Sequence, residues 1–306
     1  MAIRIKIVGV GGGGNNAIER MLEMNIPMVD YITISTDDGC FKGSHAQTKI
    51  QIGQKETKGR GAGGDPEQGR RSAFENRKDI ERVLQECDML FIAAGMGGGT
   101  GTGAAPVVAE IARELGILTV AVITTPFAFE GKRRRENALA GIAKLKEFVD
   151  ATITIPNDNL KLATETNVTL NNAFLVADSV LVHTVQNLVT VVQNTASINC
   201  DFADICCILR DSGDMYTATG TASGMNRSTD IVEQIKTGAL QGKSISGCNA
   251  ILLYLTASAD VLLDEIEEIA EAIRVQADPN ANIIMGMNFD GSMNDDIKVV
   301  LFATKK

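Results

Sequence analysis

Gly97-Gly98-Gly99-Thr100-Gly101-Thr102-Gly103 follows a strand-like stretch at 89–94, Met-Leu-Phe-Ile-Ala-Ala, and opens a helix-like one at 104–115. Five glycines in seven residues remove the Cβ atoms that would keep backbone N–H groups away from an anion. The helix behind them turns its positive end the same way. A second run, Gly9-Val10-Gly11-Gly12-Gly13-Gly14-Asn15-Asn16, stands after the first strand. Two phosphate cradles in one nucleotide-binding layout say more than either run alone.

Outward from these runs, the first part of the chain alternates. Strands are predicted at 3–8, 31–35, 89–94, 119–124 and 151–155, with helices at 16–23, 66–85, 103–115 and 134–148. Such alternation predicts an α/β, Rossmann-like parallel sheet with helices on both faces. Ligands on such sheets bind at the carboxyl ends of the strands, where both glycine runs fall. From Ser179 to Cys200 no residue is charged. Polar residues interrupt that stretch too often for a membrane span of about 18 apolar residues. Phe174, Ala177, Leu181, Val185, Leu188 and Val192 follow helical spacing instead, which reads as a buried central helix. Beyond a loop at 195–204 come strands near 215–222, 250–256, 282–288 and 298–303, with helices near 228–239 and 261–276. The expected division is a nucleotide-binding domain at 1–170, the central helix at 171–195, and a smaller α+β domain at 196–306.

Composition narrows the class. The 306 residues are 44% hydrophobic and 22% charged, as in a soluble globular protein. A net charge of −9 argues against a nucleic-acid surface and against direct membrane binding. The local exception is Lys132-Arg133-Arg134-Arg135, whose plain reading is a solvated helix start. Cys40, Cys87, Cys200, Cys206, Cys207 and Cys248 show no zinc-type spacing and follow no signal peptide, which fits reduced thiols in a cytoplasmic protein. No metal-ligating set is read from the sequence. His45 and His183 are too separated for a dyad, and His183 reads as a packed core residue.

Gly9-x-Gly11-x-x-Gly14 also matches a dinucleotide fingerprint, with Asp37 placed to hold a ribose. A nicotinamide-dependent oxidoreductase would follow from that loop alone. It leaves the second cradle unexplained, whereas a nucleoside triphosphate has more phosphate charge to enclose. No GxxxxGK[ST] string occurs, so a Walker-type loop is disfavoured. Asp65-Pro66-Glu67-Gln68 has the form of an N-cap, a first-turn proline and a capping-box glutamine.

The pair of glycine runs resembles the tubulin superfamily and, within it, the FtsZ family of bacterial cell-division GTPases. The likeness extends to Gly59-Arg60-Gly61-Ala62-Gly63-Gly64-Asp65-Pro66-Glu67, Phe129-Glu130-Gly131-Lys132-Arg133-Arg134, Ile155-Pro156-Asn157-Asp158, Ala173-Phe174 and Asn199-Cys200-Asp201-Phe202-Ala203-Asp204, in family order. It implies the tubulin/FtsZ fold and GTP or GDP as ligand, with Mg²⁺ held mainly by the nucleotide phosphates.

Phosphate contacts are then expected from the backbone of Gly12, Gly13, Gly14, Asn15, Ala62, Gly63, Gly98, Gly99, Thr100 and Gly101. The resemblance puts Glu130 on the ribose hydroxyls, Arg134 on phosphate or ribose, and Asn157 near the sugar. Phe174 and Asp178 share a helix face: the ring stacks on the purine while the carboxylate accepts from guanine N1–H and the 2-amino group. Adenine lacks both donors there, which is worth about 10⁴-fold in discrimination. Asn16 would read the base from the other side.

Asn199, Asp201 and Asp204 lie past the far end of a helix about 30 Å long. The resemblance implies that they act in trans, on the nucleotide of the next subunit in a head-to-tail homopolymer, with the aspartates positioning the attacking water. An alternative reading is a GTP-binding structural filament with little turnover or a role outside division. The family's linker and partner-binding peptide are not seen by Lys306, so the expectation is a removed tail or a tail-less relative, with division-protein partners left open. Family patterns differ at Asp65, Asn159, Asn187 and Ala257-Ser258.

Overall fold

The computed structural model describes residues 3–24, 26–160, 169, 172–193, 201–237 and 245–306. They form two compact units, one running to Leu160 and taking in the central helix as far as Gln186, the other from Asn187 to Lys306.

In the first unit, β1 (Ile5–Val10), β2 (Val29–Ser35), β3 (Thr48–Gln51), β4 (Met89–Gly95), β5 (Leu118–Thr125) and β6 (Ala151–Pro156) lie in the order β3-β2-β1-β4-β5-β6, all parallel. β1 is flanked on both sides, with Ile5 opposite Val29 and Met89. Strands covered on both faces read as unbroken apolar runs, and β4 is buried from Met89 to Ala94. The short edge strand β3, Thr-Lys-Ile-Gln, carries too little apolar pattern to be predicted.

Helices α1 (Gly11–Glu23), α2 (Gln54–Thr57), α3 (Pro66–Glu75), α4 (Arg77–Leu84), α5 (Thr100–Glu114) and α6 (Lys132–Lys146) connect the strands. The helix expected at 66–85 is two. Asn76 interrupts it, accepting from the Gly53 amide at 3.0 Å and donating to Asp79 at 3.0 Å. Such side-chain bonding competes with helix continuation. Both glycine-run helices start earlier than expected, α1 at Gly11 and α5 at Thr100. Part of each glycine run is therefore helix rather than loop.

The central helix, α7 (Ala173–Gln193), is a single element. By length and composition it is apolar enough to cross a membrane, yet 56% of its most apolar window is buried inside the protein. Ala177, Leu181, Val185, Leu188 and Val192 are buried as their spacing predicts. Two expectations fail here. Phe174 is 48% exposed, and His183 is exposed, with Nδ1 2.7 Å from the Ser179 carbonyl oxygen one turn back.

The second unit holds β7 (Gly213–Ala222), β8 (Ala250–Ala257), β9 (Asn282–Phe289) and β10 (Ile297–Thr304) in the order β7-β10-β8-β9. β10 runs antiparallel to β7 and β8, while β8 and β9 are parallel. Helices α9 (Arg227–Thr237) and α10 (Leu263–Arg274) pack on it through Ile231, Ile235, Ile269 and Ile273. The Arg227 guanidinium, 7% exposed, is held by both Glu265 oxygens at 2.6 and 2.8 Å and by Asp295 at 2.9 Å. Asn187 accepts from Lys298 at 3.1 Å and donates to Thr219 at 3.3 Å, tying the end of the central helix to this sheet. An unpredicted helix, α8 (Phe202–Leu209), begins at Asp201. The signal for it was the spacing of the two aspartates, for which a helix-cap reading stood second to the catalytic one.

Candidate functional site

Helices α1 and α5 start at the carboxyl ends of adjacent strands β1 and β4. Neither start is closed by a side chain: Val10 and Gly99 stand at the N-cap positions with no side-chain cap bond. Unmatched N–H groups and the positive ends of two helix dipoles thus meet in one place. A Cβ on Gly11, which has φ +72°, would lie 2.8 Å from the Gly101 amide nitrogen. The two helix starts are in backbone contact.

The glycines divide by what a side chain would meet. At Gly14 a Cβ would stand 2.3 Å from the Ala93 carbonyl oxygen; at Gly101, 2.5 Å from that of Gly95; at Gly103, 1.9 Å from that of Pro66. These are packing glycines, so Gly14 and Gly101 reach an anion only through their amides. Around Gly12, Gly63 and Gly98, by contrast, no protein atom lies within 4 Å of the Cβ position. The protein leaves that space open, and it lies where the helix ends converge.

Two buried amides also lack partners. Asn15 is 4% exposed and Asn157 5%, and among the described residues neither both side-chain polar atoms of Asn15 nor Oδ1 of Asn157 has a hydrogen-bond partner. Unmet buried polar groups cost about 1–3 kcal/mol each. They fit a polar ligand that completes them. The Thr100 hydroxyl lies 2.7 Å from that of Thr36, and either oxygen can be the donor. Thr102 accepts from the Gly97 amide at 2.8 Å and fixes the loop.

Asp65 caps α3, accepting from the Glu67 amide at 3.0 Å with Pro66 in the first turn. Gln68 does not complete a capping box and donates to the Glu56 carbonyl at 3.1 Å. Ala62 is buried and Gly63 exposed in the turn before this cap. Asp37, the candidate ribose holder of a dinucleotide site, instead caps a short turn by accepting from Gly39 at 2.8 Å.

At the other end of the site stands an aromatic cluster. Phe174 meets Phe127 edge-on at 5.4 Å and Phe129 at 6.4 Å, and the latter two stack at 5.0 Å. Phe129 is 60% exposed, so the cluster offers a flat apolar surface to a ring. Phe129 opens the motif quoted above, with no role read for it, while Phe127, two residues before it, was missed in the sequence. Glu130 accepts from the Phe127 amide at 2.9 Å and is ion-paired with Arg134, one turn along α6. The basic run is not simply solvated: Arg135 lies 3.3 Å from Asp158, and Lys132 3.6 Å from Glu136.

Asp178 is one turn from Phe174 on α7. Burial pushes its carboxyl up to about 6, while Arg20 of α1, 3.7 Å away, pulls the other way. Arg20 had no sequence signal, because its partner lies in a distant part of the chain. Asn16, on the same helix, is exposed.

The distal acids occupy the second unit. Asp201 accepts from the Asp204 amide at 2.9 Å and Asp204 accepts from the Asp201 amide at 3.2 Å, a reciprocal cap on α8. Helix capping is therefore part of what these residues do. Asn199 lies outside the described residues. Among the described residues, no group of three or more His, Cys, Asp or Glu side chains is placed to hold a metal ion.

Comparison with known proteins gives a consistent result. The family model described as "Tubulin/FtsZ family, GTPase domain" matches residues 4–165, and "FtsZ family, C-terminal domain" matches 213–305. The cell division protein FtsZ of Coxiella burnetii is 42% identical over 302 residues, covering 98% of this chain and 78% of that protein. That of Buchnera aphidicola is 45% identical over 301 residues with the same coverage. Among solved structures, an empty FtsZ dimer from M. jannaschii superposes with a TM-score of 0.92 at 38% identity, covering 99% of this chain and 88% of that one.

Proposed function

The chain belongs to the tubulin/FtsZ family and is a cell-division GTPase of that family, and we propose that its active centre is shared between consecutive subunits of a head-to-tail filament. One subunit binds GTP along the strand ends of its first unit. Open space at Gly12, Gly63 and Gly98 takes the phosphates, with the Asn15 amide N–H₂ donating to them, and the orphaned Asn157 Oδ1 accepts from a sugar hydroxyl. Glu130 and Arg134 hold the sugar side. The Phe127, Phe129 and Phe174 surface takes the purine, and Asp178 accepts its two N–H donors.

No carboxylate aimed at a terminal phosphate follows from this set. Asp178, placed at the base, lies in the second turn of a helix that runs on to Gln193, about 22 Å further, and Asp201 and Asp204 come after its end. They act on the next subunit's nucleotide, where Asp204 orients and polarises the attacking water. Mg²⁺, held mainly by the phosphates themselves, supplies charge neutralisation when bound. A contact using different surfaces on each partner grows into an open filament when its rotation does not close. The name of the M. jannaschii structure describes a dimer, which supports self-association. The protein works in the cytoplasm on this reading.

The observation that carries the proposal is that the open nucleotide cradle is built by the first unit, while the acid pair Asp201 and Asp204 belongs to the second. Turnover per subunit should be negligible in dilute solution and rise steeply above an assembly threshold. Specific activity that stays constant on dilution would refute it.

A pH dependence follows from Asp178. Its ionised carboxylate accepts both guanine donors; once protonated, it keeps only one good acceptor. GTP affinity is therefore expected to fall as pH drops through about 6, by about tenfold for each unit below. The sign for stability is opposite. A carboxyl whose pKa is raised on folding favours the fold while protonated, and that contribution is lost as pH rises from 3.8 to about 6. The loss is about 3 kcal/mol at most. Asp178→Asn should accordingly stabilise the nucleotide-free protein while weakening GTP binding, read by thermal melts and nucleotide titration across pH 5–8.

A further inference from the structure

Between α3, α5 and α6 the first unit forms a solvent-open pocket of about 420 Å³. Thr102, Gly103 and Pro106 of α5 and Gly141 of α6 line it, with Phe74 and Phe148 as aromatic walls. Its volume is that of small-molecule sites and too small for a protein segment of any length. The charged rim decides the ligand's chemistry. Both cations are already paired, Arg70 with Glu67 at 2.7 and 2.8 Å and Lys144 with Glu147 at 2.7 Å. The acceptors are less fully engaged: part-buried Glu110 is ion-paired with Arg77 at 3.7 Å, beyond hydrogen-bond distance, which leaves its oxygens able to accept. Asn137 uses its amide N–H₂ toward the carbonyls of Gly64 and Gly97, at 3.4 and 3.5 Å, which leaves its own carbonyl as an acceptor.

We propose that this cavity is a second ligand site, taking a flat aromatic molecule with an N–H donor, and that its occupancy slows nucleotide release. An anion is disfavoured because no unpaired cation awaits it. Coupling runs through shared residues: Thr102 holds Gly97, and Asn137 spans the two phosphate loops. The backbones of α3 and α5 are already in contact there, since a Cβ on Gly69 would sit 2.4 Å from the Gly99 carbonyl oxygen. A wedge in the cavity has no slack to absorb it. The coupling, though not the binding, rests on the nucleotide reading above.

N-phenyl-1-naphthylamine, a neutral arylamine that fluoresces in apolar surroundings, is the probe. Saturable one-site binding is expected, lost in Ala140→Phe, which fills the cavity from an exposed helix position. Phe74→Ala, which removes an aromatic wall, should weaken binding severalfold and guards against misfolding of the first variant. Release of a fluorescent GDP analogue should slow severalfold with the probe bound to the natural chain and not to Ala140→Phe. Binding that neither substitution alters, or no saturable binding, overturns the site; binding without any change in release overturns the coupling. The binding measurement needs no nucleotide, so its failure is distinct from failure of the GTPase reading.

Discussion

Replacing Asp204 with asparagine is expected to lower GTP turnover by about 10²–10⁴-fold, the range for loss of a group that activates water, while nucleotide affinity stays unchanged. Asparagine is the informative substitution because of the reciprocal cap. Its carbonyl still accepts from the Asp201 amide, as Asp204 does at 3.2 Å, so α8 keeps its start. Alanine would remove the cap as well, at about 1 kcal/mol, and confuse stability with chemistry. Turnover measured at saturating GTP, with binding followed separately, makes the distinction. Equal loss of binding and turnover would place Asp204 near its own subunit's nucleotide, against action in trans.

The second large effect is a contrast between two glycines of the same run. Gly103→Ala is expected to destabilise the first unit by about 3 kcal/mol or more, because its Cβ would sit 1.9 Å from the Pro66 carbonyl oxygen and no flexible side chain is there to give way. Gly98→Val should leave the melting temperature nearly unchanged, since nothing in the protein lies within 4 Å of that Cβ position. It should nevertheless weaken GTP binding about 100-fold, the worth of one or two charge-assisted hydrogen bonds. A melt and a nucleotide titration on both variants check this. A Gly98→Val protein that binds GTP normally would mean that the open space is not the phosphate cradle.

That contrast also marks how far the sequence could be read. The alternation of strands and helices was legible because parallel strands are apolar throughout, and all five predicted strands of the first unit begin and end within two residues of the observed ones. The glycine runs were legible as a place where backbone meets something closely, but not as what. Gly103 and Gly14 are glycines because a carbonyl occupies their side-chain space; at Gly98 and Gly12 nothing beyond the adjoining backbone lies within 4 Å of the Cβ position. Only coordinates separate those causes.

Partners distant in sequence were equally hidden. Nothing about Arg20 announces a salt bridge to Asp178, 158 positions later, and Phe127 gains its role only when Phe174 is brought against it. The two aspartates before α8 show the converse. An acid pair three residues apart is an ordinary helix-start signal, and setting that reading below the catalytic one left the helix unpredicted.

The most direct measurement mixes two inactive chains. Asp204→Asn keeps an intact nucleotide site and lacks the activating acid; Gly98→Val keeps the acid and lacks the cradle. At a GTP concentration that fills the natural site but not the one weakened about 100-fold, each alone should be nearly silent. Catalysis shared across a junction predicts that mixing restores turnover, approaching about a quarter of the natural rate in an equal mixture, since one in four random junctions joins a working cradle to a working acid. A mixture as silent as its two components would contradict a composite active centre.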